Sequence, residues 1–494
     1  MNVRTRAPYL TTLTAALALA LTGSLSAPAH AAAPDSVIAN DTVWKDTDGN
    51  PILAQGGNVL KVGSIYYWVG QKLVKGQPKA VNLYSSTDLE NWKFEGPILS
   101  QSGTTGPLAT GLWLGRPQLM RNPNGTFVLV VEVNNGPGNR NQLLFATSPT
   151  VDGTYTPTTQ NSVMVNGNTI GDHSVFVDGA NAYLVYVGDT STGINQTVNI
   201  ARLNADWTAV ADEPPIWSAS NSAHTEAPAI VKVGATYYLF ASGMDWWDAT
   251  PTSYRTSTAM TSAGWSQGSW QRVVTRPGSA NSFGTQFEQI IPVVGSQGTS
   301  YLYNGDRYSQ FYTGDGNAPG GIGKNAWYPL TFEGGAPVLH GYTDVDVNTA
   351  AGTITGNRVA NGRFDQDVAG AVPHWTVKEG SSARTEESNA TLGGDHHRQL
   401  SVYSGYVSQQ LSLPNGTYEL SFDHRSSGGQ KNAYAEVKNH GSTTPVRVHV
   451  NTSQYQWATK KITFTVTSGK PDLGVWADAG GWLNIDNVSV WPAS

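Results

Sequence analysis

Asn58-Val-Leu-Lys-Val-Gly63-Ser-Ile-Tyr66-Tyr67-Trp68 is an apolar run, a glycine turn and an aromatic run, and the pattern recurs along the chain. Residues 229–240 repeat it as Ala229-Ile-Val-Lys-Val-Gly234-Ala-Thr-Tyr237-Tyr238-Leu-Phe. Looser copies run from Pro117 through Gly125 to Phe127, from Ser174 through Gly179 to Tyr183, and from Ile290 through Gly298 to Tyr301. The glycine stands where a tight hairpin turn needs positive φ. The turn glycines at 63, 125, 179, 234 and 298 lie 54 to 64 residues apart, the length of one four-stranded sheet with its loops. Ser85 to Trp92, Asn204 to Trp207 and Ala263 to Trp265 read as outer strands of the same sheets. The spacing predicts a five-bladed β-propeller over residues 34–352. A β-sandwich would not repeat at such even intervals.

The texture changes after that. Residues 356–494 read as a jelly-roll β-sandwich, with Tyr418, Leu420 and Phe422 alternating as half-buried strand positions. The whole chain is expected to be all-β. Its composition agrees: 54 Gly and 21 Tyr among 494 residues suit tight turns between aromatic strands. The 16 Trp also suit sugar binding, because indole stacks on the apolar face of a pyranose, although for any single one the core is the better assignment.

Charge is sparse, 13% of residues with a net of −6, so nothing attracts nucleic acid or an anionic membrane. There is no cysteine and hence no disulfide framework. Residues 1–33 read as a secretory signal peptide. Arg4 and Arg6 give a positive start, Leu10 to Leu21 is apolar, and Ala29-His30-Ala31 offers a cleavage point. A secreted, extracellular protein is expected, with no membrane association after cleavage.

In a propeller the residues just before each inner strand converge on one funnel. That position is occupied by Gln55, Arg116, Asp172, Glu226 and Gln286. Any one of them alone reads as a solvated strand end. Together they place two carboxyl groups at one site, and glycosidic cleavage uses such a pair. One acid must stay protonated to donate to the leaving oxygen, and confinement near a second carboxylate raises its pKa.

Several motifs resemble family 43 of the glycoside hydrolases. They are Asp46-Thr-Asp-Gly49-Asn-Pro51-Ile-Leu-Ala-Gln55-Gly-Gly, Tyr66-Tyr67-Trp68-Val-Gly70, Arg116-Pro117, Glu226-Ala-Pro228-Ala and Gly305-Asp306-Arg307. The combination is most similar to the exo-β-1,3-galactanase branch of that family. The resemblance implies an inverting exo-hydrolase that releases galactose from the backbone of a plant-type arabinogalactan. It implies Glu226 as general acid, Asp172 as the carboxylate that tunes it and positions substrate, and, since this branch lacks the usual Asp base of blade one, Gln286 of blade five in the place opposite the acid. An amide cannot take a proton as a carboxylate does, so water activation would go through the substrate or through an imidic acid form. Gln55, Gln71, Arg116, Glu288, Asp306 and Arg307 are the expected substrate contacts.

The chain departs from the branch at three places. It has Gln55 where the branch has His, and Gln71 and Gly115 where the branch has Glu. Glu288 is expected to compensate from blade five. These departures leave a galactofuranosidase, arabinofuranosidase or xylosidase of the same fold, or a lapsed enzyme that binds galactan, as alternatives. The C-terminal part is similar to galactan-type carbohydrate-binding modules, with Arg425, Gln430, Asn432, Trp476 and Trp482 as candidate ligand contacts. No cofactor is expected to be required. A structural calcium ion is left open, since no ligand cluster specifies one.

Overall fold

The computed structural model describes residues 36–40, 42–74, 76–134, 141–158, 170–190, 193–308, 324–364, 371–388, 398–468 and 470–493. The leader expected over residues 1–33 lies outside them. Among the described residues the chain is almost entirely strand, with one short helix, Ser262–Gln267, capped by Thr261. No helix there is long and apolar enough to cross a membrane.

The all-β class stands, but the propeller has six sheets where five were expected. Blades one to five are the repeat units read from the turn glycines. Their inner strands are Val59–Val62, Leu114–Arg121, Ile170–Asp178, Thr225–Val233 and Gln286–Gly295. Each pairs antiparallel with the strand that follows it. Gly63 and Gly234 adopt φ of 63° and 60°, the left-handed turn that an L side chain resists. The sixth sheet joins Ile38–Ala39, near the start of the described chain, to Asp344–Asn348 and Thr353–Gly356. Its hairpin turns at Gly352 but no aromatic run follows the glycine, and one of its strands is two residues long, so repeat counting passes over it.

Most tryptophans are indeed core. Trp68, Trp92 and Trp327 are fully buried and pack with the half-buried Trp44 between blade one, blade five and Val345 of the sixth sheet. The rings of Trp68 and Trp327 lie 4.9 Å apart. Each such pair adds about 0.5–1.5 kcal/mol beyond the area it buries. Asn40, wholly buried, completes the seam. Its side chain accepts from the Trp327 N–H and donates to the Trp327 carbonyl, both at 2.8 Å, as a neighbouring strand would.

The C-terminal part forms one nine-stranded sheet curled around a single core that includes Phe364, Leu420, Phe422 and Val475. The two sheets expected of a sandwich are joined through one shared strand. The long strand Arg398–Gln410 pairs with Leu483–Pro492 through its first half and with Asp472–Ala477 through its second, which makes the hydrogen bonding continuous. Asn357 joins this part to the propeller by donating to Asp344 at 3.1 Å and to the Val488 carbonyl at 3.0 Å.

Candidate active site

Four inner strands carry a β-bulge at their axial end, and each bulge holds or adjoins a residue singled out from the sequence. Strand pairing slips around Arg116, around Asp172, just after Glu226, and at Glu288. A bulge inserts one unpaired residue and re-aims a side chain. Arg116 and Ala227 take φ of 42° and 52°, each just before a proline that donates nothing to the ladder. Blade one arrives differently. Gln55 forms an isolated bridge with Gln71, made close by Gly57, where a Cβ would lie 1.8 Å from the Val69 carbonyl.

Arg116 is the hub. Its Nη1 lies 2.9 Å from Glu288 Oε2, and its Nε lies 3.5 Å from Asp172 Oδ1. Its backbone N–H donates to Gln71 Oε1 at 3.3 Å. The other Asp172 oxygen accepts the Ala227 N–H at 3.0 Å. Burial pushes the Glu226 carboxyl up to about 9, with the neighbouring Asp172 adding to the rise and Arg116 opposing it. Glu226 is therefore protonated at neutral pH, as a proton donor must be.

Gln286 is pinned by its nitrogen. Nε2 donates to the carbonyls of Trp246 and Asp248 at 2.8 and 2.7 Å. That fixes the amide orientation and leaves Oε1 as the end able to accept from a water.

The expected substrate contacts divide. Gln71, Arg116 and Glu288 belong to the central network. Asp306 and Arg307 serve the frame. Asp306 accepts from the Gly56 N–H at 2.6 Å and from Asn325, and Arg307 donates to the Tyr328 hydroxyl at 3.0 Å. Tyr308 stands within reach of both Glu288 and Asp306, at 3.0 and 3.2 Å. It has one proton for two carboxyl groups. Burial raises Glu288 well above the usual range, with Arg116 opposing the rise, and Asp306 to about 7. Gln55 donates to the Lys324 carbonyl at 3.3 Å.

Sequence reasoning missed Glu132. It lies opposite Gly115 on the neighbouring strand of blade two. Burial pushes it to about 8, with Asp172 adding to the rise. Its Oε2 accepts from Trp113 Nε1 at 2.9 Å, and its Oε1 is buried without a hydrogen bond. A Cβ on Gly115 would lie 2.4 Å from the Trp113 ring, so the glycine makes room for that contact. A lone acid inside the buried apolar strand Phe127–Val133 was the available signal.

The site-bearing span is also the span that matches a known family. The sequence model described as Glycosyl hydrolases family 43 matches residues 49–314. The chain belongs to glycosyl hydrolases family 43. It is a glycoside hydrolase, and solved structures similar to it come from the branch its motifs resemble. The exo-β-1,3-galactanase from Clostridium thermocellum is 28% identical over 75% of this chain and 80% of that one, with a TM-score of 0.58. The exo-β-1,3-galactanase from Phanerochaete chrysosporium, solved with β-1,3-galactotriose, shares the fold at 24% identity over 92% of this chain and 100% of that one, with a TM-score of 0.59. No curated protein matches the chain.

The C-terminal candidates of this family 43 chain fall into two groups. Arg425 lies between the rings of Trp457 and Trp482, at 5.0 and 5.6 Å, and donates to Gln399. Gln430 sits nearby, accepting from Ser426 at 3.4 Å. Asn432 and Trp476 instead meet at Asp478, which accepts from both, at 2.8 and 2.9 Å. Among the described residues no three His, Cys, Asp or Glu side chains gather as metal ligands.

Proposed function

We propose that this family 43 hydrolase is a secreted, inverting exo-enzyme that releases galactose from the non-reducing end of β-1,3-galactan. The observation that carries the reading is the buried Glu226 carboxyl, raised to about 9 beside Asp172, with Gln286 held by its nitrogen at the start of the inner strand of blade five. Glu226 donates its proton to the glycosidic oxygen as the bond to the anomeric carbon breaks. Asp172 holds the acid's own strand through the Ala227 N–H, keeps the donor's pKa high by its charge, and is itself offset by Arg116. Water adds from the opposite face with a hydrogen bond to Gln286 Oε1. The two carbonyls that hold Nε2 favour the amide over the imidic acid, so Gln286 orients the water and the surplus proton leaves through the substrate or the solvent. Removal of residues 1–33 would deliver the enzyme outside the cell. The C-terminal part would hold the polysaccharide near the site.

The choice of galactan rests on the motifs and on the two galactanases that share the fold. Incubating the protein with debranched β-1,3-galactan and a panel of aryl glycosides, beside Glu226→Gln, tests it. Galactose release that the substitution abolishes supports the proposal. Release from furanosides or xylosides alone moves the substrate, and binding without release in either form removes the enzyme.

A further inference from the structure

Trp246 is 85% exposed, the most exposed large apolar side chain among the described residues. It also stands in the left-handed region, with φ of 52°, where a bulky residue is strained. Residues held in such conformations cluster at ligand clamps, because the surroundings must hold them there. The surroundings here are the two reacting walls. Trp246 and Asp248 give their carbonyls to Gln286, and Met244 donates its N–H to the carbonyl of His224, two residues before Glu226. One short connection in blade four therefore touches the strand of the acid and the side chain of the amide. The next residue, Trp247, turns inward. Its ring lies 5.8 Å from Trp113 and 5.2 Å from Tyr308, which reaches Glu288. Trp247 thus packs against side chains of the candidate site, and Trp246 stands exposed beside it.

We propose that Trp246 is the platform for the leaving-group sugar. Its indole offers a bare apolar face to the second pyranose while the terminal galactose occupies the pocket below. Because its carbonyl holds Nε2 of Gln286, seating that sugar also steadies the amide that orients the water. The ligand is an uncharged β-linked pyranose, recognised by stacking. This inference rests on the galactan reading.

The test compares β-1,3-galactobiose with β-galactosyl fluoride, whose leaving group is a single atom and places nothing over Trp246. For Trp246→Ala the ratio of kcat/KM on the disaccharide to kcat/KM on the fluoride should fall about tenfold or more, the scale of one well-packed aromatic contact. Trp246→Tyr should restore most of the ratio. An unchanged ratio in Trp246→Ala overturns the assignment, whether both rates fall together or neither does. A wild-type protein that cleaves the fluoride and not the disaccharide overturns the galactan reading, and this inference with it.

Discussion

Asp172 accepts the backbone N–H of Ala227, the residue directly after Glu226, at 3.0 Å. A carboxylate on blade three thereby holds the bulge that presents the acid on blade four. Its charge also raises the proton affinity of the group it positions.

Glu226→Gln should lower galactose release by about 10²–10⁴-fold. The same substitution has a stability signature. The wild-type carboxyl keeps its proton in the folded state up to about 9, whereas the unfolded chain gives it up near 4.5. Between those values unfolding releases a proton, so wild-type stability declines as pH rises through the window. Glu226→Gln lacks that slope. Its Tm at pH 9 should exceed that of the wild type by at least about 2–4 °C, with the gap closing at pH 5. The basic limb of the wild-type kcat/KM profile should also fall near 9.

Replacing Gln286 by Glu, which would ordinarily supply a base, should reduce activity. Both N–H donors to Trp246 and Asp248 disappear, and a carboxylate faces two carbonyl oxygens. The misplacement should cost about 10²-fold in kcat, read with galactan oligosaccharides at saturating concentration. A gain in rate would show that the nitrogen contacts do not set the geometry.

Glu288 and Asp306 should separate. Glu288→Ala removes the shorter of the two carboxylate contacts of Arg116 and leaves Asp172 at 3.5 Å, which should cost about 1–3 kcal/mol and lower kcat/KM. Asp306→Asn keeps one acceptor oxygen and turns the other into an NH2 group facing either the Gly56 N–H or the Asn325 amide, so denaturation should register it more than KM does. Unaltered hydrolysis by Glu288→Ala would remove that residue from substrate binding.

Gly115→Ala should act through Glu132. The added Cβ displaces the Trp113 ring and breaks its bond to Glu132. A raised KM in both Gly115→Ala and Glu132→Gln, with no further rise in the double variant, is the expected pattern.

Much of this was legible in the chain. Evenly spaced turn glycines located the five repeat blades, and of the polar residues ahead of the inner strands Arg116 and Asp172 come into contact. What was not legible depends on partners distant in sequence. Glu132 becomes a site residue only because Gly115 opposite it lets Trp113 turn over it. Asp306 reads as a binding residue until Gly56, brought alongside by ring closure, takes one of its oxygens. The continuous C-terminal sheet depends on how one long strand divides its partners, and alternation of apolar positions is blind to that.

The sixth sheet bears on biosynthesis. Ile38 and Asn40 wait for Val345 and Trp327, so the ring has no closed form until those residues have left the ribosome. Blades one to four emerge with the seam unmade and the tryptophan cluster unfilled. A nascent chain of this design keeps its propeller unlocked until about residue 345 of 494 has been made. A circular permutant that opens the chain between blades two and three and links its ends would form the same seam early.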